Sequence, residues 1–325
     1  MQTNIMINKI AIIVAYFGKF PNYFPLWLKS CGKNPTVDFI VVTDQELNVP
    51  YDNIIVKNMQ LSDLQNKATA VLGFEAALAN PYKCCDYKPL YGLLFADILY
   101  GYDYWGHCDI DLIFGDLQYF FDKYDLYSYD KFGTLGHLAL YKNSDKMNNS
   151  YKTIYGNLDY RKVFTDDKNY AFDELGGIYR IHQHMNVRLF TKRIFVDIAT
   201  IYKRYRIIDV YGLDERPTNY AVQTFSWENG KTYHVFESKD GIRKQEYIYI
   251  HFQKRPNYEI QPELLDSDKF YITNHGFFPG GEKELTHEDI LRLNPYKGKF
   301  YEDIEGNYNL LYRRVRNYFK RRFHK

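Results

Sequence analysis

Residues 104–117 read Tyr104-Trp105-Gly106-His107-Cys108-Asp109-Ile110-Asp111-Leu112-Ile113-Phe114-Gly115-Asp116-Leu117. The apolar run predicts a buried strand from Trp105 to Ile113, yet two carboxylates interrupt it. In an extended chain, residues two apart point the same way, roughly 7 Å apart. Two acids so placed repel each other and are costly to desolvate unless a cation lies beside them. A divalent metal with oxygen ligands and sites left for a diphosphate meets that need. The alternative is a strand ending at Cys108, with Asp109 and Asp111 solvated in a turn.

Upstream, strand and helix alternate. Ile10 to Ala15 and Val37 to Thr43 are continuous apolar strands, and Asn53 to Val56 is a shorter one. Helical spacing marks Pro21 to Ser30, Leu61 to Ala79 (capped by Ser62) and Lys88 to Tyr100. That order predicts an open α/β sheet, which binds ligands at the carboxyl ends of its strands. Beyond Gly136 the pattern becomes α+β. His137 to Lys142 and Glu246 to Phe252 read as strands, Met185 to Ala199 as short strands, and Thr224 to Phe236 as a hairpin turning at Asn229-Gly230. The expected organisation is one domain over 1–307, with halves 1–135 and 136–307, and a separate helix over 308–325.

Three further segments carry chemistry. Ile248 to Pro256 ends a strand in His251 and follows it with Lys254 and Arg255. A histidine there completes a metal site and the cations neutralise a diphosphate; the plainer alternative is a half-buried histidine beside a solvated basic turn. Asp86-Tyr87-Lys88-Pro89 opens a helix, where free N–H groups and a lysine favour phosphate or carboxylate, or where Asp86 merely caps. Asp173 and Glu174 precede the Gly176-Gly177 pair. They are candidates to take a proton from an incoming hydroxyl or to orient it, unless they simply begin a helix.

Taken together, Asp86 to Gly92, Gly101 to Gly106, Asp109-Ile110-Asp111 and Phe114 to Leu117 resemble the central block of bacterial polysaccharide-biosynthesis glycosyltransferases. These are the capsular and O-antigen type, with a GT-A fold and a DxD motif. The resemblance covers most of the first 140 residues, and the block from His251 to Arg255 matches in order and distance, although its cations stand closer to the histidine than in those relatives. It implies Mn²⁺ or Mg²⁺ held by Asp109, Asp111 and His251 on the diphosphate of a nucleotide sugar, a UDP-sugar in the first instance. It further implies donor contacts from Ala15, Tyr16, Phe17, Asp44, Asp86, Lys88, Asp109, Lys254 and Arg255. The acceptor, a glycan or lipid-linked oligosaccharide, would meet His137, Asp173 and Glu174. A sugar nucleotidyltransferase and a non-catalytic glycan-binding protein are the alternatives. The first lacks a Gly-rich basic loop after the first strand, and no dinucleotide or P-loop fingerprint occurs.

Composition bounds these readings. The 325 residues are 46% hydrophobic and 25% charged, which is globular and not disordered. Aromatics reach 18%, with 33 Tyr; aromatic faces suit sugars, but a compositional bias towards Tyr, Asn and Lys accounts for the excess more simply. No apolar run is long enough to span a bilayer, and Ile10 to Phe17 lacks the flanks of a signal peptide. Cys31, Cys84, Cys85 and Cys108 have no metal-type spacing and read as the reduced thiols of a cytoplasmic protein. The net charge of +2 conceals seven Lys or Arg and no acid in residues 308–325, against 35 basic and 40 acidic residues before them. With Leu311, Val315, Phe319 and Phe323 on one stripe, that tail reads as an amphipathic helix for an anionic membrane surface, on the inner face of the cytoplasmic membrane, and not for nucleic acid.

Overall fold

The computed structural model describes residues 8–210, 213–253 and 260–323, with side chains as far as residue 317. The chain folds as two units, one of residues 1–110 and 117–192, the other of 111–116 and 193–325. In chain order the strands of the described residues begin with β1 (Ile10–Ala15), β2 (Val37–Thr43), β3 (Ile54–Asn58), β4 (Tyr104–Cys108) and β5 (Leu112–Phe114). They continue with β6 (Lys131–Phe132), β7 (Leu138–Lys142), β8 (Leu189–Phe190), β9 (Val196–Asp197) and β10 (Gln223–Glu228). The last are β11 (Lys231–Ser238), β12 (Gly241–Tyr247), β13 (Tyr249–His251), β14 (Lys269–Thr273) and β15 (Gly276–Pro279).

The first unit is a mixed α/β layer around a seven-stranded sheet of order β3-β2-β1-β4-β7-β6-β8. Strands β1 to β4 run parallel, and β7 returns antiparallel to β4, pairing His107 with Ala139. The parallel strands are buried on both faces, which is why they read as unbroken Val and Ile runs. One face packs Ala11, Ile13, Ile40, Trp105, Ala139 and Tyr141 against the helical segments around Leu64, Tyr91 and Ile178. The helix at Leu61–Leu72 stops at Gly73 in the left-handed conformation, short of Ala79. Its cap is the reciprocal Gln60–Asp63 pair and not Ser62. Lys88 to Tyr100 does not form one helix. A 3₁₀ turn at Lys88–Leu90 and a single helical turn at Tyr91–Leu94 give way to turns, all anchored by buried apolar side chains.

The expected strand from Trp105 to Ile113 is two strands in two sheets. β4 ends at Cys108 and β5 starts at Leu112, so Asp109 and Asp111 occupy the connection and are not same-face neighbours of a continuous strand. The second unit holds a three-stranded sheet, β5-β13-β9, and a five-stranded antiparallel sheet, β12-β11-β10-β14-β15. The β10–β11 hairpin turns at Asn229-Gly230 with positive φ at both residues, as a two-residue turn of that hand requires.

Within this second unit the long helix spans Lys299–Phe323, nine residues earlier than expected. Its polar face is fixed to the 200–206 segment: Glu302 pairs with Arg204 at 2.7 Å and Arg206 at 2.8 Å, and Asn309 and Arg313 donate to the carbonyls of Ile201 and Thr200. Tyr301, Ile304, Tyr308, Leu311 and Val315, spaced three and four residues apart, remain exposed. The side chains of Phe319 and Phe323 lie outside the described residues. No helix among the described residues is long and apolar enough to cross a membrane.

Candidate active site

Because β1, β2 and β4 are parallel, their carboxyl ends lie together at one edge of the sheet. Ala15 closes β1, and Tyr16 and Phe17 follow it. Asp44 follows β2, and its Oδ1 accepts the Gly18 N–H at 2.8 Å and the Gln45 amide at 2.8 Å. Those two donors hold the Asp44 carboxyl below its usual range. Asp109 follows β4 at the same edge, where its N–H donates to the His137 carbonyl at 2.9 Å.

Lys88 is the hub of this edge. Its buried ammonium donates to Asp109 Oδ1 at 2.6 Å, Asp173 Oδ2 at 2.9 Å and the Gly136 carbonyl at 2.9 Å. Burial alone would lower the Lys88 pKa, but Asp109 and Asp173 outweigh it and raise the value well above the ordinary one. Asp173 is itself buried while a third of the Asp109 side chain is open. Burial raises the Asp173 pKa against the pull of Lys88, and burial and then Asp173 raise that of Glu174. Gly136 makes room for both acids: a Cβ there would meet Asp173 Oδ2 at 2.3 Å and Glu174 Oε1 at 2.9 Å. His137, the next residue, is also buried.

Asp86 faces away from Lys88 in its contacts. It is fully buried, and its carboxylate is occupied by Lys83 Nζ at 2.9 Å and by the N–H groups of Tyr170 at 2.9 Å and Phe172 at 2.8 Å. It anchors the loop that delivers Asp173, in which Ala171 sits at φ 51°, a left-handed conformation costly for a residue with a Cβ. Another buried cation, Lys131, stands over the Tyr141 ring at 4.8 Å with no hydrogen-bond partner among the described residues. Burial lowers its pKa to about 7 despite the pull of Asp173 and Glu174.

In the second unit, β13 pairs antiparallel with β5 and parallel with β9, so His251 lies opposite Leu112 on one side and Asp197 on the other. His251 Nε2 is 3.3 Å from Asp111 Oδ1, and Nδ1 is 2.9 Å from Asp197 Oδ1. All three side chains are buried. Burial works to lower the His251 pKa, but Asp111 and then Asp197 overcome it and raise the value well above normal. Asp111 Oδ1 and His251 Nε2 form an adjacent oxygen and nitrogen pair of the kind that holds a divalent cation. Asp197 stood in no motif; only the pairing of β9 with β13 brings it to His251. Lys254 and Arg255 lie outside the described residues.

Fold and site thus define a mixed α/β protein with a lysine-bridged carboxylate pair at the strand ends and, in its second unit, a carboxylate-flanked histidine. The chain belongs to a family of unknown function, DUF6625, whose model matches residues 12–280. No curated protein sequence matches it. A similar solved structure is that of the galactosyltransferase LgtC in complex with donor and acceptor sugar analogs. That similarity has 13% identity over 57% of this chain and 75% of that one, with a TM-score of 0.33.

Proposed function

We propose that this protein is a metal-dependent glycosyltransferase of GT-A type, moving a sugar from a nucleotide diphosphate donor, a UDP-sugar in the first instance, to a glycan acceptor. The observation that carries the reading is the Lys88 hub, which joins Asp109, at the carboxyl end of β4 next to that of β1, to Asp173. Ala15, Tyr16, Phe17 and Asp44 would receive the nucleoside there. Asp111 and His251, with Asp109 as the other acid of the DxD pair, would hold Mn²⁺ or Mg²⁺; a nitrogen ligand favours Mn²⁺. When bound, such an ion supplies positive charge to the departing diphosphate. Lys254 and Arg255 would add cationic hydrogen bonds, a role resting on sequence alone.

Asp173 and Glu174, raised by burial, are suited to holding the acceptor hydroxyl and taking its proton, with His137 alongside. The lysine bond to Asp173 Oδ2 fixes that carboxylate, so the more open Glu174 is the freer of the two to accept. The exposed apolar stripe of the helix at Lys299–Phe323, with the cations of 313–325, supports attachment to an anionic membrane and hence a lipid-linked acceptor.

The test is a screen of nucleotide sugars for nucleoside diphosphate release, with Mn²⁺ and with EDTA. Metal-dependent release of nucleoside diphosphate, abolished in Asp111→Asn without loss of fold, is expected. Release of pyrophosphate, or equal turnover in EDTA, refutes the assignment.

A further inference from the structure

We infer that Asp197 is a positioning residue for the metal centre. Its carboxylate accepts the Nδ1–H of His251, so that in the neutral ring a metal requires the lone pair falls on Nε2, on the side where Asp111 stands. This rests on the metal-dependent reading above and adds to it a residue that no motif contains.

The geometry is specific. A histidine presents one donor and one acceptor nitrogen when neutral, and the partner of the first decides which nitrogen is left to bind a metal. Here Nδ1 is 2.9 Å from Asp197 Oδ1 while Nε2 is 3.3 Å from Asp111 Oδ1, so the two nitrogens have different partners on opposite sides of the ring. Asp197 ends β9 and Asp111 immediately precedes β5, the two strands that flank β13. The Ile198 N–H donates to the His251 carbonyl at 2.9 Å, and the Phe252 N–H donates to the Asp111 carbonyl at 3.1 Å. Backbone bonds on each flank therefore fix the distances between the three side chains. Asp197 is held in turn by the Gln253 amide, which donates to the same Oδ1 at 2.7 Å. That amide leaves from a residue at φ 49°, an uncommon conformation kept immediately after the histidine strand. A carboxylate behind a metal-binding imidazole fixes its tautomer and ring orientation and raises its basicity.

A merely structural acid would change stability and leave the metal affinity of the folded protein alone. The experiment is therefore a Mn²⁺ titration of the full chain followed by electron paramagnetic resonance, with thermal unfolding in EDTA run beside it. Wild type, Asp197→Asn, Asp197→Leu and Asp111→Asn are compared. Asp197→Leu should bind Mn²⁺ about 10–100-fold more weakly. Asp197→Asn should lie between it and wild type, because the amide oxygen still accepts the Nδ1–H without the charge. An Asp197→Leu protein that folds and binds Mn²⁺ within twofold of wild type overturns the proposal while leaving the metal centre intact. If Asp197→Leu does not fold, Asp197→Asn decides, and unchanged affinity there overturns the proposal equally. Absence of saturable Mn²⁺ binding by wild type removes the metal centre itself, and this role of Asp197 with it.

Discussion

Among the described residues no acid contacts the buried Lys131, and replacing it by Met should stabilise the protein by an amount that depends on pH. Burial takes its pKa from the ordinary 10.5 to about 7. As pH falls below 10.5 the unfolded chain takes up a proton that the folded chain refuses until about 7, so stability falls across that window. At about 1.4 kcal/mol for each tenfold step, the cost is roughly 4 kcal/mol near neutrality and about 1–2 kcal/mol at pH 9.5. Met has nearly the length of Lys and no charge to desolvate, so Lys131→Met recovers most of that cost. Its contact with the Tyr141 ring, now at 4.8 Å from the ammonium, becomes an ordinary apolar one. Urea unfolding at the two pH values reads the effect directly. The variant should exceed wild type by a few kcal/mol near pH 7, with the gap closing by about 3 kcal/mol at pH 9.5. A variant less stable than wild type at pH 7, or a gap that does not change with pH, refutes the reasoning. The first outcome would mean that Lys131 is satisfied by an acid, with Asp173 and Glu174 the nearest in effect.

Two other outcomes follow from the same structure. Asp86→Asn removes the only charged partner of the buried Lys83 ammonium among the described residues, leaving it the Val163 and Lys168 carbonyls, and should cost about 3 kcal/mol in urea unfolding, with nucleotide affinity of the folded protein retained; unchanged stability with lost nucleotide binding would return Asp86 to the donor site. Leu311→Asp combined with Val315→Asp alters only exposed positions of the long helix and spares Glu302, Asn309 and Arg313, which fix it. The double variant should lose cosedimentation with phosphatidylserine vesicles while unfolding like wild type, and full vesicle binding by it would exclude the helix as the attachment.

The parallel strands were legible because burial on both faces leaves no alternation to interpret: β1 and β2 occupy the residues their apolar runs mark. The β10–β11 hairpin was equally clear, since Asn229-Gly230 suits the type I′ turn that joins such strands in two residues. Hydrophobic pattern failed where the partner changes and the pattern does not. Trp105 to Ile113 is apolar on both sides of Asp109-Ile110-Asp111, but β4 pairs with β1 and β7, whereas β5 pairs with β13, more than 130 positions later. No local window contains that information. Lys88 to Tyr100 failed for a related reason: the apolar side chains that suggested one helix are buried by turns around Phe95 and Leu99 just as well.

The site divides along the same line. Residue types and local context pointed to Lys88, Asp109, Asp111, Asp173, Glu174 and His251 as groups that could carry chemistry. They could not say which acid a given cation would hold. Asp86 precedes Lys88 by two positions in a helix-opening segment, and on sequence both looked free for a ligand; in the structure Asp86 is committed to Lys83 and to the loop before Asp173, and only Lys88 reaches the strand ends. That arrangement has a physical logic. Lys88 can hold Asp173, 85 positions away, only if the loop carrying it is pinned, and a buried carboxylate accepting two backbone N–H groups is a strong pin. The motif therefore contains two charged residues with opposite duties. One acid is withdrawn into the core to fix a loop, and one base is presented to the acid that the loop carries.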